Sequence, residues 1–190
     1  MLRQIGLIAG AMAAALSLAG AAFAQEVSTI VHAGRLLAGP SNGRVLSEQS
    51  ILIGSDGRII GVEPGYVTRE GADVIDQRNR FVLPGLIDSH VHLRGSLSAQ
   101  RLYDPVLLTS ADAALRAAEN ANITLLAGFT TVADLGAPND AIFALRRAIN
   151  EGRVPGPRVI AAGSSITPDG GHGDAQSFQS EVLDVIRSLG

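Results

Sequence analysis

After Pro84-Gly85 the chain alternates three times between a short apolar run and a longer run of helical period. "GLIDSHVHL", "FTTVADLG" and "PRVIAAG" read as strands. "DPVLLTSADAALRAAENANITLLAG" reads as a helix that starts at Asp104-Pro105 or at Ser110, carries an apolar face of Ala111, Ala114, Leu115, Ala118, Leu125 and Leu126, and stops at Gly128. "NDAIFALRRAINEG" reads as a second helix, with Asn139 as N-cap, Ile142, Leu145 and Ile149 on one side and Gly152 at its end. A polar, Gly-rich loop, "SSITPDGGHGDAQ", leads into a third, "SFQSEVLDVIRSLG". Strand and helix in alternation predict an α/β fold of parallel βα units. Three such units do not close a (β/α)8 barrel, which takes eight strands and about 250 residues. The expectation is therefore either a small open sheet or the front of something longer.

The region before Pro84 has a different texture. "STIVHAGRLLAG" is β-rich and closes on Gly39-Pro40, and "SILIGSDGRIIGV" reads as a hairpin around Asp56-Gly57. "ADVIDQRNRFVLPG" reads as two short strands around a polar turn. Residues 25–83 are thus expected to form a small all-β unit, too small to be very stable alone. Residues 1–24 are expected to be a signal peptide: Arg3 precedes an apolar run that ends in Ala22-Phe23-Ala24, an A-x-A cleavage pattern. An uncleaved anchor is the alternative, since the run approaches the ~20 residues that span a bilayer. Cleavage implies export, to the periplasm or outside the cell, with no stable membrane association afterwards.

Composition closes off several chemistries. A net charge of −3 without a basic cluster argues against a nucleic-acid partner. With no cysteine there are no disulfides, no thiolate metal ligands and no Cys nucleophile. All 15 basic residues are Arg.

Two of the four histidines stand two apart in "LPGLIDSHVHL", residues 83–93. Alternation along a strand puts Leu86, Asp88, His90 and His92 on one face, and Ile87, Ser89, Val91 and Leu93 on the other. The polar end of that face is the C-terminal end of the strand, where parallel α/β folds build their active sites. Two imidazoles there can grip one metal ion, with Zn–N near ~2.0–2.1 Å. Asp88 is placed for hydrogen bonding that orients a ligand. Two ordinary histidines near a strand end are the alternative.

"VLPGLIDSHVHL" resembles the first barrel strand of the amidohydrolase superfamily, metal-dependent hydrolases with a (β/α)8 TIM barrel flanked by a small β-sandwich. "GSDGRIIGVEPG" and "VIDQRNRFVLPG" resemble that sandwich. "TLLAGFTTVADLG", "LRRAINEGRVPGPRVIAAG" and "GGHGD" resemble a subgroup that includes exported Xaa-Pro and Xaa-Arg/Lys dipeptidases and relatives of imidazolonepropionase. The resemblance implies part of a β-sandwich over 25–83 and the first three βα units of the barrel over 84–190. It implies His90 and His92 as ligands of the more buried metal, with one or two Zn²⁺ ions as cofactor. Asp134, ending the second strand, would support the metal shell with Asp88, or else be a capping or ion-paired carboxylate. His172 in the GGHGD loop would touch substrate, or else face solvent; His32 matches no ligand position. The reaction implied is hydrolysis of a C–N bond in a small molecule or dipeptide, with an aspartate from the last barrel strand shuttling the proton. The alternatives are a cyclic-amide hydrolase of the imidazolonepropionase or dihydroorotase kind, and a non-catalytic exported fragment. The oligomeric state stays open.

The subgroup also implies a carboxylated lysine on strand four, histidines on strands five and six and the late aspartate. This chain has no lysine, and no histidine after His172. The chain is therefore expected to be an N-terminal fragment, with catalytic residues downstream of residue 190 and no hydrolase activity of its own. Ala133, where the subgroup often has Arg, and Thr167-Pro168-Asp169 depart from the pattern.

Overall fold

In a computed structural model of the chain, residues 26–95, 98–99, 103–137, 140–168, 171 and 179–188 are described. Two compact units divide at Pro84.

The first unit is a four-stranded sheet. Strands β1 (Val27–Gly39), β2 (Arg44–Gly54), β3 (Ile59–Pro64) and β4 (Asp73–Val82) lie in the order β3-β2-β1-β4. β1 is antiparallel to β2 and parallel to β4. The β2–β3 hairpin turns where Asp-Gly predicts it: the Gly57 N–H donates to Gly54 O, the Asp56 carboxylate accepts from the Arg58 N–H at 3.0 Å, and Gly57 takes φ +76°, a conformation that costs a residue without Cβ little. Ala33, Leu36 and Ile51 are buried together, with Val31, Ile53 and Val82 packed against them. His32 is buried and structural in its contacts: Nε2 meets Val67 O at 2.8 Å, so it carries the proton, and the ring lies 5.3 Å from that of Tyr66.

One expectation fails in this unit. "DVIDQRNRFV" is a single ten-residue strand, β4, not two strands around a turn. It stays one strand although its pairing with β1 breaks over Arg78, Asn79 and Arg80: Gln77 pairs with Ala33 and Phe81 with Arg35, so three residues bulge opposite Gly34.

The second unit is a three-stranded parallel sheet, β5 (Leu86–Val91), β6 (Phe129–Asp134) and β7 (Arg158–Ala161), in that order. Helices α1 (Asp104–Leu107) and α2 (Ser110–Leu126) join β5 to β6, and α3 (Ala141–Asn150) joins β6 to β7. A fourth helix, α4, spans Ser180–Ser188. α2 starts at a capping box: the Thr109 side chain accepts from the Asp112 N–H, and the Asp112 carboxylate accepts from the Thr109 N–H. The Asp140 side chain makes no cap bond at the start of α3; the expected N-cap, Asn139, lies outside the described residues. Leu93, Ala117, Ala121, Val132, Ala137, Ile142, Leu145 and Val159 form the core between sheet and helices.

The buried stripe of α2 differs from the expected one. Ala113, Ala117 and Ala121 face inward at a spacing of four, whereas Leu115 and Leu126 are exposed at 72% and 78%. The helix meets the sheet on its smallest side chains. On α3 the expected face holds: Ile142 and Leu145 are buried and Ile149 packs against them.

Candidate metal centre

β5 ends at Val91, and the chain turns at once. The Gly95 N–H donates to His92 O at 2.9 Å, closing a tight turn over 92–95. Val91 and Leu93 face the core as alternation predicts. Ile87 does not: it is 72% exposed, and the pairing of β5 with β6 shifts register between Leu86 and Ile87 and again between Asp88 and Val91. Strict alternation is therefore interrupted twice within six residues.

The two histidines nevertheless come together at the C-terminal end of the strand. Their ring centroids are 5.2 Å apart, edge to face at 70°. His92 Nδ1 lies 3.2 Å from Gly136 O. A carbonyl only accepts, so Nδ1 carries the proton and Nε2 keeps its lone pair. That is the arrangement of a metal-ligating histidine whose second nitrogen is held by a backbone carbonyl. Gly136 permits it by lacking a side chain: a Cβ there would stand 2.5 Å from Ser165 Oγ and 3.3 Å from the His92 ring. The ring nitrogens of His90 have no hydrogen-bond partner among the described residues.

The two carboxylates act on the backbone. Asp88 Oδ1 accepts from the His90 N–H at 3.0 Å, within the stretch where the pairing with β6 slips, and the carboxylate bonds to the peptide of a histidine rather than to its ring. Asp134 is fully buried; Oδ2 accepts from the Leu93 N–H at 2.8 Å and Oδ1 from the Gly136 N–H at 3.3 Å. One side chain at the end of β6 thus ties the turn after His92 to the segment whose carbonyl holds the His92 ring. Burial pulls the Arg94 guanidinium below its ordinary value, against the Asp134 and Asp104 carboxylates that favour its charge.

From the helix side, Asn120 Nδ2 donates to Leu93 O at 2.6 Å and to Gly95 O at 3.0 Å. The sequence reading missed this residue. A polar amide within the apolar Ala-rich stretch of α2 was the available signal, since Asn favours caps and turns over helix interiors. An open cleft of about 520 Å³ lies alongside, lined by Val91, His92, Leu93 and Gly95 from the turn and by Arg116, Glu119, Asn120, Ile123 and Thr124 from α2. Arg116 is ion-paired to Asp104.

Among the described residues no third histidine or carboxylate joins His90 and His92 in a group able to hold a metal. The pair fits a divalent metal as two of its ligands: neutral imidazoles, side by side, one with its tautomer set. His172 lies outside the described residues.

The sequence profile of the amidohydrolase family matches residues 81–188, from the end of β4 through α4. The chain belongs to the amidohydrolase family. Ochratoxinase from Aspergillus niger is 30% identical over 168 residues, which are 85% of this chain and 33% of ochratoxinase. Dihydroorotase from Trichlorobacter lovleyi is 34% identical over 68 residues, 36% of this chain and 15% of that enzyme. A crystal structure of a Xaa-Pro dipeptidase with methionine bound in its active site superposes with TM-score 0.70 at 36% identity, covering 80% of this chain and 37% of that one. The chain therefore spans about a third of the length of the longer-matching relatives. Among these amidohydrolases, a hydrolytic enzyme acting on a small molecule is the shared character.

Proposed function

We propose that this chain is the front of a metal-dependent hydrolase that cleaves a carbon–nitrogen bond, with a dipeptide as the substrate class. The observation that carries the reading is the pair His90 and His92 at the C-terminal end of a parallel strand, with His92 Nδ1 committed to Gly136 O and Nε2 left for a metal. The three parallel strands are read as the first three of a (β/α)8 barrel and the four-stranded sheet as part of a flanking β-sandwich. The superposition on the Xaa-Pro dipeptidase, at 36% identity over 80% of the chain, supports both.

A divalent ion, zinc in this proposal, supplies Lewis-acid activation of water and of the scissile carbonyl when bound. The chain's own part is to place the two imidazoles side by side, with the tautomer of His92 set. Asp88 holds the backbone at His90, Asp134 the backbone after His92, and Gly136 the ring. His172 is proposed to reach substrate from its loop. Two imidazoles fall short of the three protein ligands usual in catalytic zinc sites, so residues 1–190 by themselves are proposed to be inactive. Residues 1–24 are proposed to direct export and to be removed.

The dihydroorotase similarity favours a second reading, a cyclic amide as substrate, but it covers only 36% of the chain. The test is hydrolysis by the full gene product, stripped of metal and reloaded with Zn²⁺, against Xaa-Pro and Xaa-Arg dipeptides, dihydroorotate and an N-acyl amino acid. Zinc-dependent turnover of a dipeptide, lost in His90→Asn and His92→Asn, supports the proposal. Turnover of the cyclic amide alone moves the substrate assignment to the second reading. Zinc-independent activity, or none on any amide, sinks both.

A further inference from the structure

We propose that Asn120 is a positioning residue for the metal pair, setting where His92 presents Nε2. The inference rests on the reading of His90 and His92 as metal ligands. The Leu93 peptide is held at both ends: its N–H goes to Asp134 on β6, and its C=O accepts from Asn120 on α2. The same Asn120 amide nitrogen donates to Gly95 O, so its two hydrogens clasp both carbonyls that flank the end of the turn. Within that turn the Gly95 N–H returns to His92 O. Asn120 is itself placed by packing, because Ala121 beside it and Ala117 one turn before are fully buried in the core of this unit. The backbone leaving His92 is therefore fixed from a helix and from a strand at once. A ligand whose backbone is fixed binds metal without first being ordered.

Asn120→Asp is nearly isosteric but replaces both N–H donors with a carboxylate facing two carbonyls. The expected result is Co²⁺ or Zn²⁺ affinity of the metal-stripped full-length protein weaker by about ten- to a hundredfold, the usual cost of losing an outer partner of a metal ligand. The Co²⁺ visible spectrum should change with it. Ala113→Gly is the control: it lies on the same helix and is buried, seven residues before Asn120 and without a side-chain donor. It should lower the thermal midpoint with metal affinity unchanged. Should Asn120→Asp fail to fold, Asn120→Ala removes the donors without adding a charge and carries the same expectation. If wild type binds metal, His92→Asn loses it and the Asn120 variants bind as wild type does, the inference fails and the metal reading stands. Weakening by Ala113→Gly equal to that of Asn120→Asp also overturns it, reducing the role to helix stability. If wild type itself binds no metal, both fall together.

Discussion

The backbone N–H of Leu93 donates to Oδ2 of Asp134 at 2.8 Å across 41 positions of sequence. It joins the turn after β5 to the end of β6 inside the core, where Leu93 is 3% exposed and Asp134 fully buried. A buried carboxylate is tolerated when it accepts charge-assisted bonds, and two backbone donors supply them here. Asp134→Ala leaves the buried Leu93 N–H and the half-buried Gly136 N–H without their acceptor. The expected loss in urea unfolding of the chain is about 1–3 kcal/mol. Asp134→Asn should lose less, because its amide oxygen still accepts from Leu93.

Gly136→Ala acts on the metal pair directly. The new Cβ meets Ser165 Oγ at 2.5 Å and the His92 ring at 3.3 Å. The Ser165 hydroxyl can swing aside, and the imidazole must give by a few tenths of an ångström, which lengthens its hydrogen bond to Gly136 O. Calorimetric titration with Zn²⁺ should show weaker binding, and the ring nitrogen shifts of the metal-free protein a smaller preference for the Nδ1–H tautomer of His92.

Thr109→Ala removes the cap of α2. The Thr109 hydroxyl pulls the Asp112 carboxyl below its ordinary value, with the Thr109 backbone N–H assisting. The expected cost is about 1 kcal/mol, and Thr109→Ser should restore most of it. A depressed carboxyl contributes above its unfolded value and ceases to as pH falls through its folded value. The gap between wild type and Thr109→Ala should therefore narrow in acid, read as converging thermal midpoints.

Asp76 shows the same sign in the first unit. The Arg78 side chain lowers its carboxyl from the ordinary 3.8 to about 2, helped by the Arg78 backbone N–H. The Arg78 guanidinium lies over the Tyr66 ring at 5.6 Å and bonds both Asp76 oxygens. The contribution is complete above pH 4 and lost between about pH 4 and 2. It is screened by solvent, so Asp76→Asn should shift midpoints little at neutral pH and flatten the acid limb. An acid limb as steep as wild type would show that the pair does nothing for folding.

Local chemistry was legible wherever a residue carries its own instruction. Asp56-Gly57 specifies its turn because Gly adopts positive φ freely and Asp caps its own backbone. Ile142, Leu145 and Ile149 specify the inner face of α3 because three large apolar side chains at helical spacing have no other stable place. The H-x-H pair and its position at a strand end were legible for the same reason: residue type and period both point there.

Other features were decided only in three dimensions. On α2, alanines lie on every side, so period alone cannot choose a face; the close approach of helix to sheet chose Ala113, Ala117 and Ala121 and left Leu115 outside. "QRNR" resembles a turn by composition and lies within a strand because β1 pairs with the residues on both sides of its bulged part, Arg78 to Arg80. The roles of Asp134, Gly136 and Asn120 depend on groups 41, 44 and 27 positions away, and no local pattern encodes a contact at that distance. Residue type and spacing determined that two imidazoles stand at the end of a strand. Tertiary packing decided how His92 and its turn are held, because the groups that hold them come from the end of a different strand and from a helix.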